Sequence, residues 1–128
     1  MSYHQIRLIR YGDVIRCTNQ ETKQAFAAKF ISKKKSMNKK PFQNEIETMK
    51  LLDHPNIVKF CDVFDSTIER VIVMELASGG SLENKLEEEG KFSEFEAKAL
   101  IFDITLALLY CHRKGIAHRD LKLGNILL

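Results

Sequence analysis

The sequence predicts an α+β fold, with a small antiparallel sheet and a helical part beside it. Three observations predict it. Residues 1–75 are mostly short β-type runs separated by polar connectors. A single stretch with helical spacing divides those runs into two pairs. Residues 81–114 are strongly helical.

"VIRCT" (Val14 to Thr18) and "AFAAKFI" (Ala25 to Ile31) form the first pair, and the polar connector "NQETKQ" reads as a hairpin turn. "NIVKFCDVFD" and "RVIVMEL" form the second pair, joined by "DSTIE". Between the pairs lies "FQNEIETMKLLDH", where Phe42, Ile46, Met49 and Leu52 recur at helical spacing. "HPN" follows and is expected to end that helix, because the residue before Pro55 is pushed out of the α region.

Gly79-Gly80 makes a flexible turn, and Ser81 is a candidate N-cap for a short helix. The clearest helix lies in "FSEFEAKALIFDITLALLYCHRKG". Ser93 and Glu96 have the S-x-x-E spacing of a capping box, with Phe92 and Ala97 at the staple positions around it. Ala97, Leu100, Ile101, Ile104, Leu108 and Cys111 are expected to form its apolar stripe. Lys114 falls in the last turn and Gly115 is a natural residue just past the end.

Composition bounds the class. With 128 residues the expectation is one domain, and 45% hydrophobic against 29% charged residues is a globular balance. No apolar run approaches the ~20 residues of a spanning helix, and "MSYHQIRLIRYGD" is too polar for a secretory leader. The expected location is therefore the cytoplasm or nucleus, with no membrane partner. Cys17, Cys61 and Cys111 are odd in number and lack any CxxC pair, so they are read as buried or semi-buried thiols in a reducing compartment. The net charge of +3 concentrates in "KKKSMNKK", Lys33 to Lys40. That run reads as a solvated loop, since it lacks the interleaved aromatics that single-strand nucleic-acid binding uses. No nucleic-acid partner is expected.

The chemistry gathers in "HRDLKLGNILL", from His118 to Leu128. Asp120 can orient a hydroxyl and take its proton. Lys122 can neutralise a transferring phosphoryl group. Asn125 offers a neutral oxygen to a hard cation such as Mg2+. Singly, an Asp or an Asn in a loop is a turn former; together they match what phosphoryl transfer to a hydroxyl needs.

"HRDLKLGN" resembles the catalytic loop H-R-D-L-x-x-x-N of eukaryotic protein kinases. The form D-L-K-x-x-N is similar to that of serine/threonine kinases of calmodulin-dependent, AMP-activated-like and polo-like type. The resemblance implies a protein kinase-like fold: a small antiparallel-sheet lobe with its C-helix, then the first helices and catalytic loop of the large lobe. Residues 1–76 would be the small lobe and 77–128 the hinge and the start of the large one, a partial domain. It implies ATP and Mg2+ as cofactors and a protein bearing Ser or Thr as substrate.

The remaining site residues follow from the same resemblance. "FAAKFI" places the ATP-anchoring lysine at Lys29. Its partner from the C-helix is Glu45, with Glu47 as a competitor. "VIVMELASGGSL" places a gatekeeper at Met74 and the adenine-binding backbone groups at Glu75 and Ala77. Val14, Ala27 and Leu127 would hold the adenine ring between apolar surfaces; read without the family register, all three are core residues. Phe60, Met49 and His118 fall where the family stacks its regulatory spine. Arg119 beside Asp120 resembles kinases whose phosphorylated activation loop pairs with that arginine.

Two departures stand out. Against G-x-G-x-x-G-x-V this chain has "RLIRYGDV", so Gly12 keeps the third glycine while Arg7 and Ile9 replace the first two. A β-branched Ile9 removes backbone freedom near the phosphates, and weakened ATP binding is expected. No D-F-G or A-P-E follows Leu128, so these 128 residues alone are expected to be inactive and to self-associate through uncovered apolar surface. The principal reading is a serine/threonine kinase domain fragment. The alternative is a short pseudokinase-like module that acts by protein contact.

Overall fold

The structure is a computed structural model that describes residues 5–6, 13–33 and 39–128. Arg7, Ile9, Tyr11, Gly12 and much of the lysine run lie outside the described residues. The chain divides into two compact units. One takes its described residues from Ile9–Leu52 and Lys59–Leu76, the other from Met1–Leu8, Asp53–Val58 and Ala77–Leu128.

The first unit is a sheet with a helix. Its strands are β2 (Asp13–Thr18), β3 (Ala25–Ser32), β4 (Phe60–Asp65) and β5 (Glu69–Glu75), ordered β2-β3-β5-β4 and antiparallel throughout. Helix α1 (Lys39–Lys50) lies between β3 and β4 in sequence. It stops before His54-Pro55, because Leu51 and Leu52 already turn back on Glu47, Thr48 and Met49 through their amides. The segment Asn56–Lys59 is not strand; β4 begins only at Phe60.

Side-chain alternation fixes the inner face. Ala27 opposes Met74, Lys29 opposes Ile72 and Ile31 opposes Arg70, so these six residues point to one side of β3 and β5. Arg70, Ile72 and Met74 are buried at every second position of β5. On α1, Phe42, Glu45, Ile46 and Met49 share one face by i, i+3, i+4 and i+7 spacing. Phe42 lies against the Arg70 guanidinium at 4.5 Å, which places this face on the Arg70 side of the sheet. A bulge at Cys61 lets Phe60 oppose Met74 and Val63 oppose Ile72, so both turn inward although they are three positions apart. Asn19 closes the β2–β3 turn by accepting the amides of Glu21 and Thr22.

The second unit is mainly helical. It holds α2 (Leu82–Glu89), α3 (Glu94–Arg113), a 3-10 turn (Leu123–Asn125), and a short antiparallel pair of β1 (Gln5–Ile6) with β6 (Ile126–Leu127). Ser81 and Ser93 cap α2 and α3, each in a reciprocal box, with Asn84 and Glu96 respectively. At the end of α3, Gly115 has φ 72. Its amide reaches the His112 carbonyl and the Ile116 amide reaches Cys111, a Schellman closure.

The segment Asp53–Val58 is held on α3. The Asp53 amide donates to the Tyr110 hydroxyl at 3.0 Å, and Asn56 Nδ2 donates to the Asp103 carbonyl at 3.1 Å. The His54 and Tyr110 rings lie 5.1 Å apart. The inner side of α3 is Leu100, Ile104, Ala107 and Cys111. Ile101, expected in that stripe, is instead 62% exposed, while Ala107 is fully covered. No helix among the described residues is long and apolar enough to cross a membrane.

Candidate active site

In the sheet unit, the inner face of β3 carries a buried cation. Lys29 is 1% exposed, and its Nζ donates to Glu45 Oε1 at 3.2 Å. β3 aims Lys29 inward by alternation, and α1 presents Glu45 from the same face as Ile46 and Met49. Glu47 is exposed. Beside Lys29 on that face, Ala27 and Met74 are both buried and directly paired. Val14 lies across from Lys29 on β2 and is partly exposed. Glu75 ends β5; its amide donates to the Lys59 carbonyl, and its carboxylate accepts the Lys59 amide at 3.3 Å. Met49 is buried, and Phe60 is half-buried with the Lys50 ammonium 5.5 Å from its ring centre.

In the helical unit, one short loop brings Asp120, Lys122 and Asn125 together. Asn125 is buried, and its Nδ2 donates both to the Asp120 carbonyl at 2.7 Å and to Asp120 Oδ2 at 3.1 Å. The amide thus locks the aspartate in place from behind. The Asp120 amide donates to His118 Nδ1 at 3.2 Å, which fixes the start of the loop. Between them Arg119 takes φ 60, the left-handed conformation that a side chain adopts at a cost and that re-aims the chain. Lys122 Nζ stands 3.8 Å from Asp120 Oδ2, and both side chains reach solvent.

The arrangement leaves particular atoms for chemistry. With Oδ2 bonded by Asn125, Asp120 Oδ1 can accept a proton or a hydroxyl hydrogen bond. With Nδ2 engaged, Asn125 Oδ1 is the free neutral oxygen, the donor type that Mg2+ accepts. It can supply one oxygen to such a cation. Among the described residues there is no group of three or more His, Cys, Asp or Glu that could hold a metal ion.

Two features around the loop were not read from the sequence. A Cβ at Gly124 would come 2.9 Å from Glu83 Oε2, so glycine here lets the α2 carboxylate lie against the loop that carries Asp120 and Asn125. Gly79 and Gly80 hold the chain end: the Gly79 amide donates to the Leu128 carbonyl and the Leu128 amide donates to Gly80. Leu127 pairs with Gln5 and bridges to Ser81, and Ala77 sits half-buried three residues before Gly80. No spacing rule signals either contact, since both join residues more than forty positions apart.

Comparison with known proteins carries the same pattern. A protein kinase domain family matches residues 9–128. Calcium-dependent protein kinase 5 of Plasmodium berghei (strain Anka) is 44% identical over 117 residues, which is 91% of this chain and 21% of that protein. Calcium/calmodulin-dependent protein kinase type IV of Mus musculus is 39% identical over 114 residues, 89% of this chain and 24% of that protein. The chain thus spans about a fifth to a quarter of the length of these relatives. The crystal structure of Rad53 1-466 in complex with AMP-PNP superposes with a TM-score of 0.82 at 35% identity, covering 90% of this chain and 30% of that one. Other relatives at 40% identity over 91–92% of this chain are named as serine/threonine-protein kinases, fhkD (probable) of Dictyostelium discoideum and DCLK3 of Mus musculus, and the chain belongs to the protein kinase family.

Proposed function

We propose that the chain is part of a serine/threonine protein kinase domain that binds Mg-ATP and takes part in moving its γ-phosphoryl group to a protein hydroxyl. The observation that carries this reading is the Asn125 clamp on Asp120, which leaves one carboxylate oxygen of Asp120 open in a loop that also bears Lys122. Residues 1–76 are read as the small lobe and residues 77–128 as the hinge and the start of the large lobe.

Each residue has a part in that reading. Lys29, held by Glu45, anchors ATP phosphates as a buried cation. Val14, Ala27, Met74 and the Glu75 backbone are the sheet unit's adenine contacts; Ala77 and Leu127 are those of the helical unit. Gly12 belongs to the phosphate loop. Asp120 accepts the substrate hydroxyl proton as the hydroxyl oxygen bonds to the γ-phosphorus and the bond to the departing ADP oxygen breaks. Lys122 offsets the charge on the transferring oxygens. Mg2+ held by Asn125 and the phosphates would neutralise phosphate charge during transfer.

Titration with Mg-ATP tests the reading, followed by phosphate transfer to a generic Ser/Thr-bearing protein. Saturable binding that Lys29→Met and Asn125→Ala each weaken at least tenfold supports it. Binding indifferent to both changes overturns it. The alternative is a pseudokinase-like module acting by protein contact, favoured by Arg7 and Ile9 at the first two glycine positions. Transfer that disappears in Asp120→Asn would refute that alternative.

A further inference from the structure

We infer that Arg70 forms the floor of an oxyanion site on the sheet unit, beside the first turn of α1, and that its ligand is a doubly charged phosphate group. Arg70 is 5% exposed, and among the described residues neither its Nε nor its Nη1 has a hydrogen-bond acceptor. A guanidinium carries five N–H donors and stays charged in a protein, so it cannot relieve the deficit by losing a proton. A buried charge persists where its donors are met, so these two donors call for an acceptor.

The nearby acid does not meet that need. Asp65 Oδ1 stands 3.6 Å from Arg70 Nε, beyond hydrogen-bond reach, and the same oxygen takes Lys33 Nζ. Lys33 also donates to the Ser66 carbonyl. Two cations thus share one carboxylate, and a positive excess is left. Phe42 covers one face of the guanidinium at 4.5 Å, so an acceptor has to come along its edge. Asp65 is exposed and Lys33 partly so, which sets the Nε side of that edge close to solvent.

Helix α1 adds to the excess. Phe42 is its fourth residue, so the guanidinium lies beside its first turn. The positive end of the helix dipole falls there, and the turn holds no acidic residue to offset it. The sequence leading into it, Lys33 to Lys40, is basic. Arginine takes carboxylates and phosphates alike through paired N–H bonds. The surplus charge selects between them in favour of the dianion, which is either free phosphate or a phosphorylated side chain. The site uses neither Asp120 nor Lys29, so it stands or falls separately from the kinase reading.

Thermal melts and amide exchange of the 128-residue chain, in sodium phosphate against sodium chloride of equal ionic strength, test it. Phosphate is expected to raise the midpoint saturably and to slow exchange at the start of α1. Arg70→Met keeps an unbranched chain against Phe42 and is expected to weaken phosphate binding at least tenfold. If that variant does not fold, Arg70→Lys is read in its place; it keeps the charge, loses the planar fork and should bind at least threefold more weakly. Asp65→Asn removes the competing acid and should tighten binding at least threefold. Lys29→Met should leave binding as it is, which separates this site from the nucleotide site. N-acetylphosphoserine amide is run beside phosphate: its binding places the ligand on a phosphorylated polypeptide, and its exclusion while phosphate binds assigns the free ion. Phosphate no more effective than chloride overturns the inference, as does binding indifferent to Arg70. Binding that Lys29→Met abolishes belongs to the nucleotide site and overturns it too. Weaker binding in Asp65→Asn means that the carboxylate holds the guanidinium rather than competing for it, and overturns it as well.

Discussion

Replacing Lys29 with methionine should leave the sheet unit as stable as before or more so, while replacing Glu45 with glutamine should weaken it. At 3.2 Å the ion pair gains about 5 kcal/mol at the effective dielectric of ~20 that suits protein sites. Removing an ion from water costs several kcal/mol after relaxation. Lys29 bears that cost almost in full, since its side chain is 1% exposed; Glu45, at 26%, bears less. The two terms nearly cancel, so the pair contributes little net stability. Lys29→Met removes the attraction and the ammonium's desolvation, leaves Glu45 to the water that already reaches it, and keeps an unbranched side chain against Ile72, so the expected change lies between about zero and 2 kcal/mol of added stability. Glu45→Gln removes the attraction and leaves the desolvated ammonium, with an expected loss of about 2–3 kcal/mol, discounted from the ~3–5 typical of a fully buried pair because water reaches Glu45. Amide hydrogen exchange of β3 and β5 is the suitable assay, because it reads this unit separately from the other. A loss above about 2 kcal/mol in Lys29→Met, or no loss in Glu45→Gln, would show that the lysine stabilises the fold rather than being held there for phosphate binding.

Other perturbations follow from the same geometry. Gly79→Ala would set a Cβ 2.8 Å from the Leu128 backbone carbon and oxygen, neither of which is a flexible side-chain end, so a loss of about 1–3 kcal/mol is expected in thermal melts of the helical unit. Gly124→Ala meets only the end of Glu83 and should be nearly silent in the same melt. Ser93→Ala should cost ~1 kcal/mol by uncapping α3. Hydrogen bonds from Ser93 hold the Glu96 carboxyl below its usual range. A lowered folded value means a contribution present above the unfolded value of ~4.3 and lost as pH falls through the folded one. The gap between wild type and Ser93→Ala in an acid titration of the helix signal should therefore narrow at low pH without closing, since Ser93 Oγ still accepts the Glu96 amide; a constant gap down to the lowest pH would exclude this coupling. Cys61, expected to be at least half-buried, is exposed; partial desolvation and the Glu75 carboxylate still push its thiol up, and burial does so for Cys111. Iodoacetamide should label Cys61 only as pH rises past the ordinary thiol range, and Cys111, at the inner side of α3, only after urea. Equal labelling rates for the two would mean that α3 is not packed on that side.

How far the sequence disclosed this molecule depended on whether a signal was local. The two hairpins, the caps at Ser81 and Ser93 and the close at Gly115 each rest on residues within a few positions, and each stands in the structure where its local signal lies. The inward aim of Lys29 was not legible from alternation, which sets Phe26 and Phe30 on one face of "AFAAKFI" and Lys29 on the other; it was expected only from the family resemblance. The long-range contacts had no such signal. Nothing near Asp53 or Asn56 announces that they bond to Tyr110 and Asp103, and nothing near Cys61 announces a bulge. The misplaced stripe on α3 has a different cause. Periodicity identifies the inner side of a helix only when the outer side is polar, and α3 has leucine, isoleucine or phenylalanine on two opposite sides. The expected stripe took in Ile101 and passed over Ala107. Counting about 100° per residue, the buried residues Leu100, Ile104, Ala107 and Cys111 span only about 60°, and Ile101 lies about 60° further, beyond Ile104. The covered arc is narrower than the apolar one, and only what packs on the helix decides which part of a wide apolar arc is covered.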